Sequence, residues 1–227
     1  MRKSLIEAFN SRRYPGYKNY ERVPLRFEIV RRIIGNEEKK KICDLGCSDG
    51  LLGEILFKDG HNVFGVDISE PALQIARLRG IRVFKANLET DRLPFKANTF
   101  DVVVISETLD TIYDTDRLVE EIRRILKKNG LFIITTANPF SLGRRLAYLF
   151  GIAVFLPADL HGDNTGAIRL FTPKSLAPLL ERHKFEIVKI VSTQVNFLKD
   201  GWLHSGLLAK IFPTLGSTLI VVSRRTG

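Results

Sequence analysis

The fold is decided by Lys41-Ile-Cys-Asp-Leu-Gly-Cys-Ser-Asp-Gly50 together with Asn62-Val-Phe-Gly-Val-Asp67. Each of these stretches contains a short apolar run that leads to an acidic residue. A glycine-bearing turn and an amphipathic segment of helix length separate the two runs. This order is typical of a β-α-β unit, whose ligand lies at the carboxyl ends of the strands. The sequence therefore predicts a parallel α/β sheet with a ligand site beside the turn.

The turn has a Gly-x-Ser-x-Gly pattern formed by Gly46, Ser48 and Gly50. Small residues here let the backbone turn sharply and let a ligand approach without contacting a Cβ atom. The nearby carboxylates of Asp44 and Asp49 disfavour a pyrophosphate, which a helix N-terminus binds through amide donors. Their negative field favours a ligand with an ammonium and a sulfonium group, and S-adenosylmethionine carries both.

A second acidic position, Asp67, ends the second predicted strand 17 residues after Gly50. A carboxylate at this place accepts hydrogen bonds from both ribose hydroxyls of a nucleoside, and its charge disfavours a 2'-phosphate. The spacing therefore predicts that Asp67 holds the ribose of the ligand.

These residues resemble motif I and the following acidic position of the class I S-adenosylmethionine-dependent methyltransferases. The resemblance runs from about Ile42 to Phe185 and is greatest for the small-molecule branch with the ubiquinone-biosynthesis-type enzymes (methyltransferase type 11). It implies a Rossmann-like α/β fold: a seven-stranded, mostly parallel sheet with the last strand antiparallel and helices on both faces. It also implies S-adenosyl-L-methionine as cofactor, at Asp44, Gly46, Cys47, Ser48, Gly50, Asp67, Ile68, Asn87, Leu88 and Ser106.

Capping residues and periodicity predict the other elements. Besides the opening unit, helices are expected at Pro24 to Ile34, Ser69 to Leu78, Asp114 to Lys128, Ser141 to Phe155 and Thr172 to His183, and strands at 81–85, 100–106, 131–137, 186–193 and 217–223. The near-continuous β-branched run at 100–106 suits a strand that is buried on both faces at the centre of the sheet.

The length of 227 residues favours a single methyltransferase domain, residues 1–227. Within it we expect an N-terminal arm and helix over residues 1–40 and a cofactor-binding core over residues 41–137. Two insertions, 138–170 and 194–216, fall on the expected substrate side, where loops on a rigid sheet commonly carry specificity.

The sequence departs from the family pattern in ways that bear on catalysis. Asn87 stands where relatives usually have an aspartate for the adenine amino group, and it still accepts a hydrogen bond through its amide oxygen. Ala167 stands where relatives often have a histidine. The catalytic residue is therefore unassigned. His161 and His204 are substitute candidates for deprotonating an oxygen acceptor, with an acidic side chain as a further alternative, although a lone histidine is more often structural or exposed.

The first residues after the central strand, Glu107 to Asp110, lack the Asn/Asp-Pro-Pro-aromatic turn of enzymes that methylate an exocyclic adenine amine. No metal site is expected. Cys43 and Cys47 are the only cysteines and have no neighbouring histidine or cysteine cluster, so buried thiols are the better interpretation.

The net charge of +10 is unevenly distributed. Residues 1–41 contain 12 Lys and Arg against 5 Asp and Glu, residues 42–137 contain 12 against 15, and residues 138–227 contain 11 against 5. The basic flanks are compatible with an ordinary solvated surface, or with an anionic substrate or an acidic surface such as RNA or lipid headgroups.

We therefore expect methyl transfer to a small, anionic or amphipathic acceptor. Two alternatives stay open: an RNA-directed methyltransferase or RNA binder that uses the basic flanks, and a non-catalytic cofactor-binding scaffold. Nucleic acid is the less favoured partner, because the aromatic and basic residues are not interleaved as in RNA-binding modules. No apolar run reaches the ~18 residues of a membrane span and no signal-peptide core is present, so a cytoplasmic monomer or homodimer is expected.

Overall fold

The computed structural model describes residues 23–152, 167–197 and 203–227. The described helices are α1 (Leu25–Ile34), α2 (Leu51–Lys58), α3 (Glu70–Leu78), α4 (Thr115–Ile125), α5 (Leu142–Leu149), α6 (Pro173–Arg182) and α7 (Gly206–Ile211). The described strands are β1 (Lys41–Leu45), β2 (Asn62–Asp67), β3 (Arg82–Lys85), β4 (Phe100–Ser106), β5 (Leu126–Ala137), β6 (Phe185–Ser192), β7 (Val195–Asn196), β8 (His204–Ser205) and β9 (Thr218–Arg225).

The main sheet of the described residues has seven strands in the order β3-β2-β1-β4-β5-β9-β6. Strand β1 pairs in parallel with β2 and β4, and β4 pairs in parallel with β5. Strand β9 runs antiparallel to both β5 and β6. This confirms the predicted fold, with the last strand antiparallel and β4 at the centre.

The central strand divides the hydrophobic core between the two faces of the sheet. Val103 and Ile105 belong to one buried cluster, whereas Val102 and Val104 belong to the other. Side chains of α4 and α6 complete the first cluster, and side chains of α1 and α2 complete the second. Burial on both faces explains why β4 reads as a continuous β-branched run, and it confirms helices on both faces.

The predicted helix starts at Ser69 and Thr172 are confirmed by their capping contacts. The Ser69 hydroxyl accepts from the Ala72 N–H at 3.4 Å. Thr172 and Ser175 form a reciprocal capping box at the start of α6. Each cap satisfies amide groups that a helix N-terminus would otherwise leave without a partner.

One predicted boundary is wrong. The helix expected to reach Lys128 ends at Ile125, and the strand expected from Leu131 starts at Leu126. Leu126 is fully buried and pairs with Phe100 of β4, with a register shift before the rest of the ladder. Pairing with the central strand therefore competes with the last helical turn for this backbone, and the pairing prevails.

The two predicted insertions contain short elements. Helix α5 is shorter than the helix expected as far as Phe155, and residues 153–166 lie outside the described residues. The second insertion forms the β7–β8 hairpin, α7 and a 3₁₀ turn at Pro213–Leu215. The Ser192 hydroxyl of β6 donates to the Ala209 carbonyl of α7, which places α7 against the outer strand of the sheet.

Candidate functional site

A pocket opens at the carboxyl ends of β1 and β4, under the start of α1. Three chain segments line it: Pro24, Arg26 and Phe27; Asp44, Gly46, Cys47, Ser48, Asp49, Leu51 and Leu52; and Ser106, Glu107 and Thr108. Of the predicted cofactor positions, five line this pocket: Asp44, Gly46, Cys47, Ser48 and Ser106. The other five lie outside its lining: Gly50, Asp67, Ile68, Asn87 and Leu88.

The loop after β1 turns through left-handed backbone conformations at Gly46 (φ 74°), Ser48 (φ 54°) and Gly50 (φ 79°). A Cβ atom at Gly46 would stand 2.3 Å from the Thr108 hydroxyl oxygen, so the loops after β1 and β4 are in direct contact. A non-glycine residue in this conformation, as at Ser48, stores strain that surrounding contacts must balance, and such strain is common at functional sites.

Asp67 makes one of the contacts that hold Ser48 in its left-handed conformation. Its two carboxylate oxygens accept from the backbone N–H groups of Ser48 and Ser69, both at 2.9 Å. Burial raises the pKa of Asp67, and the backbone hydrogen bonds from Ser69, Ser48 and Ile68 oppose that shift. The predicted ribose ligand therefore also ties the loop after β1 to the start of α3.

Asp44 lies near the carboxyl end of β1, directly before the turn, and only 2% of its surface is exposed. Burial, and then the neighbouring Asp67, raise the pKa of Asp44 to about 7. A cationic ligand in the pocket would favour the ionised form, because opposite charges at short range stabilise each other in a poorly solvated site.

The predicted contribution of Asp49 to the negative field needs correction. Its carboxylate forms an ion pair with the buried Arg79 at 3.3 Å, so its charge is balanced within the protein. Local sequence patterns do not indicate this pair, because Arg79 stands 30 residues away from Asp49.

The two thiols are buried and unbonded to each other, as predicted. Burial raises the pKa of Cys43 and of Cys47 well above the ordinary value. Because the thiolate is the reactive form, neither cysteine is suited to nucleophilic chemistry here.

Asn87 follows β3 and is buried in its own loop. Its amide oxygen accepts from the Glu89 N–H at 2.9 Å, and its backbone N–H donates to the Asp91 carboxylate at 2.9 Å. The neighbouring Leu88 belongs to the hydrophobic core. These contacts fix the loop at the end of β3, next to β2 in the sheet.

Sequence reasoning missed Glu107 as a residue of the pocket. It follows β4 in a left-handed conformation (φ 50°), and its carboxylate lies 3.4 Å from the guanidinium of Arg26. Burial lowers the pKa of Arg144 on α5, and the nearby Tyr148 and Glu107 oppose that shift. Two arginines from separate helices thus lie near one carboxylate. Only the position of Glu107 directly after the central strand could have indicated it.

Asp110 was also missed. It lies in the 3₁₀ turn after β4 with 5% of its surface exposed, and among the described residues its Oδ1 atom has no hydrogen-bond partner. Burial, and then the Glu107 carboxylate, raise the pKa of Asp110 to about 6. Its carbonyl accepts from the N–H groups of Ile168 and Arg169, at 2.9 and 3.2 Å.

Of the two histidines that are candidates for catalysis, only His204 lies in the described part of the chain. His204 is exposed on β8 and does not line the pocket, whereas His161 lies outside the described residues. Within the described ranges, no group of three or more His, Cys, Asp or Glu side chains is placed to hold a metal ion. Over the same part of the chain, no helix is long and apolar enough to cross a membrane.

Comparison with known proteins finds relatives of this chain. The model of a family described as a methyltransferase domain matches residues 43–134. The ubiquinone biosynthesis O-methyltransferase of Alkalilimnicola ehrlichii is 33% identical over 134 residues, which are 57% of this chain and 53% of the relative. Its counterpart in Bartonella bacilliformis is 26% identical over 171 residues, 73% of this chain and 67% of the relative. The chain thus spans about half to two thirds of the length of these relatives.

Solved structures share the fold. An S-adenosylmethionine-dependent methyltransferase from Mesorhizobium loti has a TM-score of 0.63 at 21% identity, covering 89% of this chain and 98% of that chain. Another from Archaeoglobus fulgidus has a TM-score of 0.65 at 17% identity, covering 98% of this chain and 94% of that chain. The fold therefore extends well beyond the segment that the family model matches.

Proposed function

We propose that this chain, which belongs to the class I S-adenosylmethionine-dependent methyltransferases and has S-adenosylmethionine as its cofactor, methylates an oxygen atom of a small anionic or amphipathic acceptor. The pocket between the loop after β1 and the end of β4 carries this proposal. It combines small residues in left-handed conformations with the buried carboxylate of Asp44, a chemistry that suits a cationic ligand.

In this proposal the cofactor is held in two parts. Its methionine portion lies along the pocket, against Asp44, Gly46, Cys47, Ser48 and Ser106. Its nucleoside portion lies toward the ends of β2 and β3, against Asp67, Ile68, Asn87 and Leu88, and Gly50 provides the turn between β1 and α2. The contact between Asp67 and the Ser48 N–H supports this division, because it joins the two parts of the site.

The acceptor side is formed by α5 and the end of β4. An oxygen acceptor is supported by the likeness to ubiquinone biosynthesis O-methyltransferases. A negative charge on the acceptor is supported by Arg26 and Arg144, two positive charges near the Glu107 carboxylate. An apolar portion is supported by exposed side chains on and after α5, such as Leu149 and Phe150.

Bound S-adenosylmethionine supplies a methyl group whose carbon–sulfur bond breaks, leaving its electron pair on sulfur, as the acceptor oxygen forms the new bond. The protein orients the acceptor and excludes water, which together can contribute about 7 to 11 kcal/mol.

Asp110 takes the proton that the acceptor hydroxyl loses. Its burial, its unpartnered oxygen and its raised pKa of about 6 support this role.

The proposal is tested by incubating the protein with methyl-labelled S-adenosylmethionine and a fractionated cell extract. We expect label in a fraction of small acidic molecules. The Asp110→Asn variant should bind the cofactor normally but transfer label at least ~100-fold more slowly, since general-base catalysis is commonly worth that much. Asp116→Asn is the matched control, because Asp116 pairs with Arg182 and His183 on the exposed side of α4.

Label in the RNA fraction would contradict the small acceptor and favour the RNA-directed alternative. Cofactor binding without label in any fraction would favour the non-catalytic scaffold. Equal transfer by wild type and Asp110→Asn would remove Asp110 from the chemistry while leaving methyl transfer in place.

A further inference from the structure

Arg79 has no part in the function proposed above, yet it is one of the buried charged residues in the part of the chain that the structure describes. It follows α3, and only 3% of its side chain is exposed. Arginine is almost never this buried unless it is paired. Two other arginines close by in sequence, Arg77 and Arg82, lie at the surface, so the burial is particular to this position.

The guanidinium of Arg79 connects three parts of the structure. Its Nε–H donates to the Asp49 carbonyl at 2.9 Å, and its Nη2 lies 3.3 Å from the Asp49 carboxylate. Its Nη1 donates to the Glu54 carboxylate of α2. One side chain after α3 thus holds both the backbone and the charge of the loop after β1, as well as the helix that follows the loop.

The loop is also held by packing against the same helix. A Cβ atom at Gly50 would stand 2.8 Å from the Ala76 methyl group of α3, so the turn lies directly on α3. Asp49 lines the pocket, and both its carbonyl and its carboxylate contact Arg79, so the position of Arg79 fixes how the Asp49 carboxylate meets the pocket.

We propose that Arg79 is a positioning residue that tunes cofactor selectivity: by neutralising Asp49, it limits how strongly the site prefers the sulfonium cofactor over its uncharged thioether product. The inference rests on the function proposed above. A site with an unbalanced carboxylate would hold the cation more tightly and the thioether no better. When Arg79 neutralises Asp49, the site binds the sulfonium cofactor and the thioether with more similar affinities. The remaining preference for the cation comes from Asp44 and from Glu107, whose charge Arg26 partly offsets.

The test is calorimetric titration of S-adenosylmethionine and S-adenosylhomocysteine into matched variants. Arg79→Gln removes the charge of Arg79 but keeps hydrogen-bonding capacity, and it exposes the Asp49 charge. We expect the affinity ratio of cofactor to thioether to rise about fivefold. This is the size expected when a carboxylate and a sulfonium lie about 8 Å apart and the effective dielectric constant is between those of protein and water. Both absolute affinities should fall, because the loop loses a support.

Three further variants separate charge from structure. Asp49→Asn removes the Asp49 charge while Arg79 stays paired with Glu54, so the negative field at the site weakens and the ratio should fall below that of wild type. The double variant Asp49→Asn with Arg79→Gln restores neutrality and should return the ratio to the wild-type value. Arg77→Gln is the matched control on the same helix, since Arg77 pairs with Glu70 at the surface, and it should change nothing.

A ratio that stays at the wild-type value in both Arg79→Gln and Asp49→Asn would overturn the inference, and would leave Arg79 with a purely structural role. If Arg79→Gln fails to fold, Asp49→Asn alone still decides, because its predicted shift has the opposite sign. Wild-type protein that binds neither ligand would instead refute the proposed function, so the two failures are distinguishable.

Discussion

The proposed cofactor side and the proposed acceptor side of the molecule differ in how tightly they are packed. On the proposed cofactor side, Asp44 of β1 and Asp49 of the loop after it are buried, the Ser48 N–H donates to Asp67, and Arg79 holds Asp49. On the acceptor side, α5 has no buried residue, and Leu149 and Phe150 next to each other are 79% and 81% exposed.

The difference indicates where the fold and the specificity reside. Cofactor contacts belong to the same packed structure that holds the sheet together, so they cannot change without loss of stability. Acceptor contacts lie on segments outside the core, which tolerate substitution more readily. Substitutions on the cofactor side should therefore have large effects in which binding and stability change together. Substitutions on the acceptor side should have small effects that are separable from one another.

The largest effect should come from Gly46→Ala on the cofactor side. The new methyl group would overlap Thr108 at 2.3 Å, and the backbone at φ 74° disfavours alanine, so the loop must move. We expect the affinity for S-adenosylmethionine, measured by calorimetry, to fall more than ~100-fold, as for a displaced binding loop.

Gly60→Ala is the matched control for that variant. Gly60 also has a left-handed backbone (φ 93°), but a Cβ atom there meets nothing within 4 Å. It should lower the free energy of unfolding by about 1 kcal/mol and leave the cofactor affinity unchanged. Similar affinity losses in both variants would show that backbone strain, and not the contact between the two loops, governs the site.

The next largest effect is a pH dependence of the cofactor affinity, which arises from Asp44. Since the pKa of this carboxyl is about 7 in the folded protein, it is partly protonated at neutral pH. Binding of a cationic cofactor favours the ionised form, so the affinity should rise about tenfold between pH 6 and pH 8. Calorimetry across this range measures it, and Asp44→Asn should bind more weakly with a flat profile.

The same carboxyl affects stability with a definite sign. Its folded pKa of about 7 lies above the ordinary value of 3.8, so folding favours the protonated form. That contribution is fully present below about pH 3.8 and is lost as the pH rises to about 7. Denaturant titrations of wild type and Asp44→Asn should therefore diverge over this window. Parallel curves would mean that Asp44 is solvated in the folded state.

The smallest effect should come from Leu149→Ser on the acceptor side. Because Leu149 is largely exposed, the free energy of unfolding should change by less than ~0.5 kcal/mol. Leu45→Ala in the fully buried end of β1 should cost about 2 to 5 kcal/mol in the same denaturant titration. Comparable losses at the two positions would break the distinction between the two sides.

The strands and the turn around the loop after β1 were largely predictable because their signals are local. The apolar runs that end at Leu45 and Asp67 specify neighbouring parallel strands, and small residues at 46, 48 and 50 specify the turn between them. Helix starts at Ser69 and Thr172 follow from side chains that cap amides within three residues.

The parts that sequence did not predict depend on long-range contacts. The pairing of Leu126 with Phe100 decides where α4 ends, and the pairing of Arg79 with Asp49 removes a charge that the sequence places in the pocket. Asp110 becomes notable only once its burial is known. None of these depends on residues near one another in the chain, so periodicity and motif spacing carry no information about them.

The most direct test of the account is calorimetric titration of S-adenosylmethionine and NAD into wild type, Asp67→Asn and Asp67→Ala. The account predicts binding of S-adenosylmethionine alone, weakened about tenfold in Asp67→Asn and more than ~100-fold in Asp67→Ala, because the carboxylate both meets the ligand and holds the loop after β1. Equal binding of S-adenosylmethionine by all three proteins, or a preference for NAD, would contradict it.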